Sequence, residues 1–120
     1  MASSGMYKVH QNLGKVYYRK ADFEKALESF EKALAICDRD YRIFYDIAST
    51  YQAMKDFDKA IHYFKEALRL NQDDLYTLNS LASVYLASGN KEAASEIASI
   101  IQKEDEHLAA KLFKQIESED

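Results

Sequence analysis

The chain has 120 residues, 48% of them hydrophobic, with no proline and three glycines, which describes one domain with enough apolar surface for a core and too few turn residues for a β-rich fold. Its net charge of −4 argues against a nucleic-acid surface, because phosphate binding needs clustered positive charge first. A single cysteine, Cys37, excludes an internal disulfide.

In chain order, residues 1–6 are small and polar and read as a disordered lead or an expression remnant. Leu13, Val16 and Tyr17 then fit one face of a helix ending near Lys20. Asp22 offers an N-cap to a second helix, on which Ala26, Leu27, Phe30, Ala33 and Leu34 form an apolar stripe. Short polar residues at 38–40 end it. The same grammar returns: Ile47, Ala48 and Tyr51, a cap at Asp56, then Ala60, Ile61, Phe64, Ala67 and Leu68, with a turn at 72–74. A third pass has Leu81, Ala82 and Tyr85, then Gly89 for a left-handed helix end and Asn90 as the next cap. Its second helix departs from the pattern, with Ala98 where Phe30 and Phe64 stood and Ile101 where Ala33 and Ala67 stood. Leu108, Leu112, Phe113 and Ile116 describe a last amphipathic helix, with Phe113 positioned to fill the space beside Ala98.

These passes share a period of 34 residues, visible in Tyr17, Tyr51 and Tyr85 and in Ala26, Ala60 and Ala94. Repeats are therefore placed at 7–40, 41–74 and 75–108, with a capping helix and acidic tail at 109–120, the helix beginning near 105. A period of this length means stacked helical hairpins, none able to bury its apolar face alone.

The spaced residues His10, Leu13, Gly14, Tyr17, Ala26, Phe30 and Ala33, then Phe44, Ile47, Ala48, Tyr51, Ala60, Phe64 and Ala67, then Leu78, Leu81, Ala82, Tyr85 and Ala94, resemble the tetratricopeptide repeat. His10 departs from the family's aromatic. Asp38, Gln72 and Glu106 stand where the family usually has proline, which would let a second helix run on into the next repeat and hairpins swap between chains. The resemblance implies an all-α fold, a right-handed α-solenoid of three antiparallel helix hairpins plus a capping helix. It implies a protein–protein interaction scaffold or adaptor, not an enzyme.

By the same resemblance, a partner would lie in the groove lined by the first helix of each hairpin. Repeat one presents Lys8, Gln11, Asn12, Lys15, Tyr18 and Arg19. Repeat two presents Arg42, Tyr45, Asp46, Ser49 and Gln52, and repeat three presents Tyr76, Asn79, Ser80, Ser83 and Leu86. This set carries Lys8, Lys15, Arg19 and Arg42 against Asp46 alone, in a chain that is acidic overall. An acidic peptide or helix with an apolar anchor is the expected partner. Tyr17, Tyr51 and Tyr85 belong to the core. Family members that grip the acidic tails of heat-shock chaperones do so with a two-carboxylate clamp of Lys, Asn and Arg. Gln11, Lys15, Asp46, Tyr76 and Ser80 occupy those places here, so that clamp is not expected.

His10, His62 and His107 are scattered over three repeats, and no metal, cofactor or catalytic constellation is legible. Cys37, near a helix C-terminus where the helix dipole opposes a thiolate, reads as an inert thiol. No apolar run is long enough to insert in a membrane and no signal pattern is present, so a cytoplasmic location is expected. Two alternatives remain beside the adaptor. One is a secretion-type chaperone for an export substrate. The other is a homo-oligomer, a self-assembling scaffold whose groove receives an acidic segment of another copy, such as 104–106 or 117–120.

Overall fold

The computed structural model describes residues 5–118, and seven α-helices account for most of them: α1 (Met6–Arg19), α2 (Phe23–Ile36), α3 (Tyr41–Ala53), α4 (Phe57–Leu70), α5 (Leu75–Ala87), α6 (Lys91–Gln102) and α7 (Glu106–Ser118). Among the described residues there is no strand. Residues 1–4 of the expected lead and 119–120 of the acidic tail lie outside them. Met6, assigned from sequence to the lead, instead opens α1, with Gly5 at its N-cap.

Each hairpin is closed by one backbone device used three times. At the end of α1 the Ala21 N–H donates to the Tyr18 carbonyl (2.9 Å) and the Asp22 N–H to the Tyr17 carbonyl (2.9 Å). This paired pattern satisfies the last orphan carbonyls of a helix and requires a left-handed residue between them. Ala21 (φ 61°), Lys55 (φ 63°) and Gly89 (φ 87°) supply it, one per hairpin. The following residue then serves the next helix: Asp22, Asp56 and Asn90 accept from the N–H groups of Lys25, Lys59 and Ala93 through their side chains.

The breaks between repeats need no proline. α2 stops at Ile36 and α4 at Leu70, and Asp40 and Asp74 cap the helices that follow by accepting from the Arg42 and Thr77 N–H groups at 3.0 Å each. Asp105 does the same for α7 through the Leu108 N–H (3.0 Å). Run-on of a second helix into the next repeat, which the missing prolines allow, does not occur. A carboxylate that rewards a helix start is enough to interrupt the chain.

Packing follows residue size. Ala26, Ala60 and Ala94 are fully buried, as are Ala33, Ala67, Ala48 and Ala82. Phe30 and Phe64 fill the space these small residues leave. The tightest approach is at Gly14: a Cβ there would sit 2.4 Å from the Phe30 ring. The buried residues form two clusters. Ala26, Phe30, Ala33, Ile43 and Ile47 make the smaller, and a larger one runs from Ala48 to Ile116. Tyr51 and Tyr63, stacked at 5.7 Å, border both. Ala98 and Ile101 of the degraded third hairpin are fully buried against a cluster that includes Ala109, Leu112 and Ile116 of α7. Leu112 and Ile116 are the deeply buried side chains, while Phe113 is only half-buried.

Two further expectations change. Tyr17, Tyr51 and Tyr85 are half-buried at the edge of the core, each beneath a lysine ammonium, from Lys25, Lys59 and Lys65 respectively. Leu13 and Val16 are not interior; both are 42% exposed. A periodic stripe identifies a helix face but does not supply the neighbour that covers it.

Non-glycine residues held left-handed cost about 1–2 kcal/mol, partly offset by the unfolded-chain entropy a glycine adds. Ala21→Gly and Lys55→Gly are each expected to raise stability by about 0.5–1 kcal/mol in urea titrations with helicity unchanged; a loss in both would contradict this turn geometry. Gly14→Ala gains about 1 kcal/mol of helix propensity but overpacks against Phe30 at a typical cost of about 1–3 kcal/mol. The net expectation is destabilisation, relieved when Phe30→Leu is combined with it in a double-mutant cycle.

Candidate functional site

The first helices of the three hairpins meet along one side of the molecule through side chains nominated from sequence. Gln11 of α1, 5% exposed, donates through Nε2 to Asp46 Oδ2 of α3 (3.0 Å). Tyr45 of α3 shares a 3.1 Å hydrogen bond with Ser80 Oγ of α5, and its ring meets Phe64 edge-on. These contacts fix α1, α3 and α5 in register.

Between α1 and α3 lies an open cleft of about 260 Å³ lined by Lys15, Tyr18, Tyr45, Asp46 and Ser49, with Phe30 contributing from the hairpin behind. A second hollow, between α3 and α5, is bordered by Tyr41, Arg42, Tyr45, Asp74 and Tyr76, and Tyr76 stands 79% exposed at its rim. Lys8, Asn12 and Arg19 are exposed on α1. Gln52, Asn79, Ser83 and Leu86 are half-buried and border neither hollow; Ser83 Oγ turns back to the Asn79 carbonyl (3.1 Å).

The charges differ from a simple count. The Arg42 guanidinium forms a two-point pair with Asp40, Nε to Oδ1 at 2.9 Å and Nη2 to Oδ2 at 2.8 Å. Asp40 also accepts from the Tyr7 hydroxyl at 3.3 Å. The Arg42 hydrogen bonds hold the Asp40 carboxyl below the usual carboxylate range. Arg42 is thus a neutralised cation, and the available positive charge gathers on α1 at Lys8, Lys15 and Arg19. Sequence reasoning missed Asp40 and Tyr7 as parts of this surface. Asp40 was legible as a cap, but nothing in the pattern says that a cap also binds the side chain two residues on.

Asp46 is the one acidic member of the nominated set, and burial raises its pKa above the ordinary 3.8, opposed by the Gln11 hydrogen bond and by the charge of Lys15. Because the folded protein binds this proton more tightly than the unfolded chain, the contribution of Asp46 is most favourable below 3.8 and is lost as pH rises through the raised value. Asp46→Asn, which keeps an acceptor for Gln11, is therefore expected to be more stable than the wild type at neutral pH, with the two melting curves converging below pH 3.8. Asp40 and Arg42, the other charged groups acting on Asp46, are common to both proteins.

No group of three or more potential metal ligands clusters among the described residues, and none of their helices is long and apolar enough to cross a membrane. The model of the tetratricopeptide repeat matches residues 7–40 and again 41–74. Curated proteins give no match. Solved structures do: the first repeat domain of Spaghetti (RPAP3) bound to the HSP90 peptide SRMEEVD superposes with a TM-score of 0.87 at 17% identity, covering 98% of this chain and 94% of that one. The Yersinia enterocolitica type III secretion chaperone SycD, in complex with a peptide of the translocator YopD, gives 0.85 at 20% identity, with 98% and 94% covered. The Arabidopsis OM64 repeat domain gives 0.87 at 11% identity, with 98% of each chain covered. At these identities the likeness is one of fold. With six of its seven helices paired into three hairpins and both matched repeats joined end to end, the chain belongs to the tetratricopeptide repeat family.

Proposed function

We propose that this protein is an interaction module that holds an acidic peptide or short acidic helix with an apolar anchor along α1, α3 and α5. The observation that carries the reading is the asymmetry of the groove: Lys8, Lys15 and Arg19 stand on α1, and the nearest groove carboxylate, Asp46, is engaged by Gln11. The cleft beside Lys15 offers Tyr18 and Tyr45 to an apolar side chain, above the buried Phe30 ring. Tyrosines give large contact area at low entropy cost, and amides and hydroxyls such as Asn12 and Ser49 can satisfy an extended backbone.

Two structural neighbours support the general class, since one is seen with the acidic peptide SRMEEVD and another with a translocator peptide. The chemistry here differs in detail. Gln11, Asp46, Tyr76 and Ser80 give no paired-carboxylate clamp, so the recognised acids lie within a segment and need not include a terminal carboxylate.

The test is fluorescence anisotropy against paired synthetic peptides, each with Glu and Asp around a central Leu or Phe and each with a Lys-substituted twin. The acidic member is expected to bind, to weaken as salt rises, and to lose about tenfold or more affinity to Lys15→Glu while Asp46→Asn tightens it. Equal binding of both twins, or indifference to Lys15→Glu, removes the reading.

A further inference from the structure

The apolar surface of this protein is not spread evenly. Met6 (44% exposed), Val9 (57%), Leu13 (42%) and Val16 (42%) lie at i, i+3, i+7 and i+10 on α1, forming one stripe along its outer side. It runs about 15 Å, three helical turns. The period of the chain says what such a stripe is for. One repeat later the positions of Val9, Leu13 and Val16 are Ile43, Ile47 and Thr50, and one repeat beyond are Thr77, Leu81 and Val84. All six are at most 3% exposed. They sit on α3 and α5, which pack on the second helix of the preceding hairpin, α2 and α4 respectively. The stripe on α1 is the same surface without its helix.

We propose that this end face is a second docking site, distinct from the hollows of the groove but sharing Lys8 and Arg19 with it, and that its occupant is an acidic amphipathic helix of a partner protein, seated as α2 is seated on α3. Charge selects that occupant. Helical spacing puts Lys8 and Arg19 on the side of α1 between the stripe and the groove, Lys20 follows the last turn, and α1 contains no Asp or Glu at all. Where the surface is already covered this free positive charge is reduced: the positions of Arg19 and Lys20 become Ala53 and Met54, then Ala87 and Ser88, and that of Lys8 becomes Arg42, which is paired with Asp40, then Tyr76. A second copy is a poor fit. Two α1 faces would oppose Lys8, Arg19 and Lys20 to the same three cations. The outward side of α7, with Glu106, Lys111, Lys114 and Glu117 exposed, has no apolar stripe to offer. Residues 1–4 are too few to span three turns. The partner helix needs Leu, Ile or Met at i, i+3 or i+4, and i+7, with Glu or Asp flanking the side that meets Lys8 and Arg19.

The probe is a synthetic peptide of residues 23–36, the segment that covers α3, carrying Lys25→Glu and Lys32→Glu. A twin with its glutamates changed to lysine is the control. With the isotope-labelled protein, the acidic peptide is expected to shift the amides of Val9, Leu13 and Val16 saturably, and Leu13→Glu to weaken it about tenfold or more. Leu13 is exposed, so this variant should keep its melting temperature; Val9→Gln serves as an independent second variant. Shifts confined to Lys15, Tyr18 and Tyr45, or equal binding of the basic twin, overturn the proposal. So does a dimer in sedimentation that Leu13→Glu abolishes, because the face is then covered by a second copy. Protection of the α1 amides by an upstream segment of a longer chain would overturn it equally.

Discussion

One residue in each hairpin does two jobs, and the architecture depends on it. The N–H of Asp22, Asp56 or Asn90 closes the helix behind it, while the side chain of the same residue opens the helix ahead. Because both hydrogen bonds leave one residue, the two helix axes are coupled by a single rigid hinge preceded by a left-handed residue. The angle of the hairpin is therefore not adjustable piecemeal. Moving one helix would break a cap on each side of the turn, at about 1 kcal/mol or more per lost cap.

That fixed angle gives the small residues their meaning. Once two helices are held so close, only Gly14, Ala48 or Ala82 fits on one and Ala26, Ala60 or Ala94 on the other, and Phe30 and Phe64 take the volume between. The third hairpin has Ala98 in place of the phenylalanine and is completed from outside by Leu112 and Ile116 of α7. The groove inherits its register from the same geometry, since Gln11 meets Asp46 and Tyr45 meets Ser80 only if successive hairpins are offset by a constant step.

The repeat was legible because it is written in side chains whose size or capping chemistry acts at short range. Asp22 and Asp56 announce helix starts in any context, and alanines 34 residues apart announce a close approach. What was not legible depended on neighbours. Ala21 and Lys55 are not turn-forming residues, and their left-handed backbone is imposed by the helices on either side. Arg42 reads as a free cation until its pairing with Asp40 is seen. Leu13 and Val16 carry the periodicity of a buried face in a place where no helix comes to bury them. Among the groove residues, sequence named the helices and the positions, and the structure was needed to separate those lining a hollow from those, such as Ser83, whose side chain is bonded within its own helix.

The division of the core into two clusters bears on how the protein comes apart. The cluster nearer α1 contains five buried residues and touches the larger one through Tyr51 and Tyr63. In a linear stack each unit is steadied only by its immediate neighbours, so the first hairpin, with a neighbour on one side, is the least cooperative part of the chain. Yet that hairpin bears Lys8, Lys15 and Arg19. A ligand gripping those cations stabilises the weakest unit first and, through the stacked tyrosines, ties its unfolding to that of the remainder. The protein is thereby more nearly a single cooperative body when occupied than when empty.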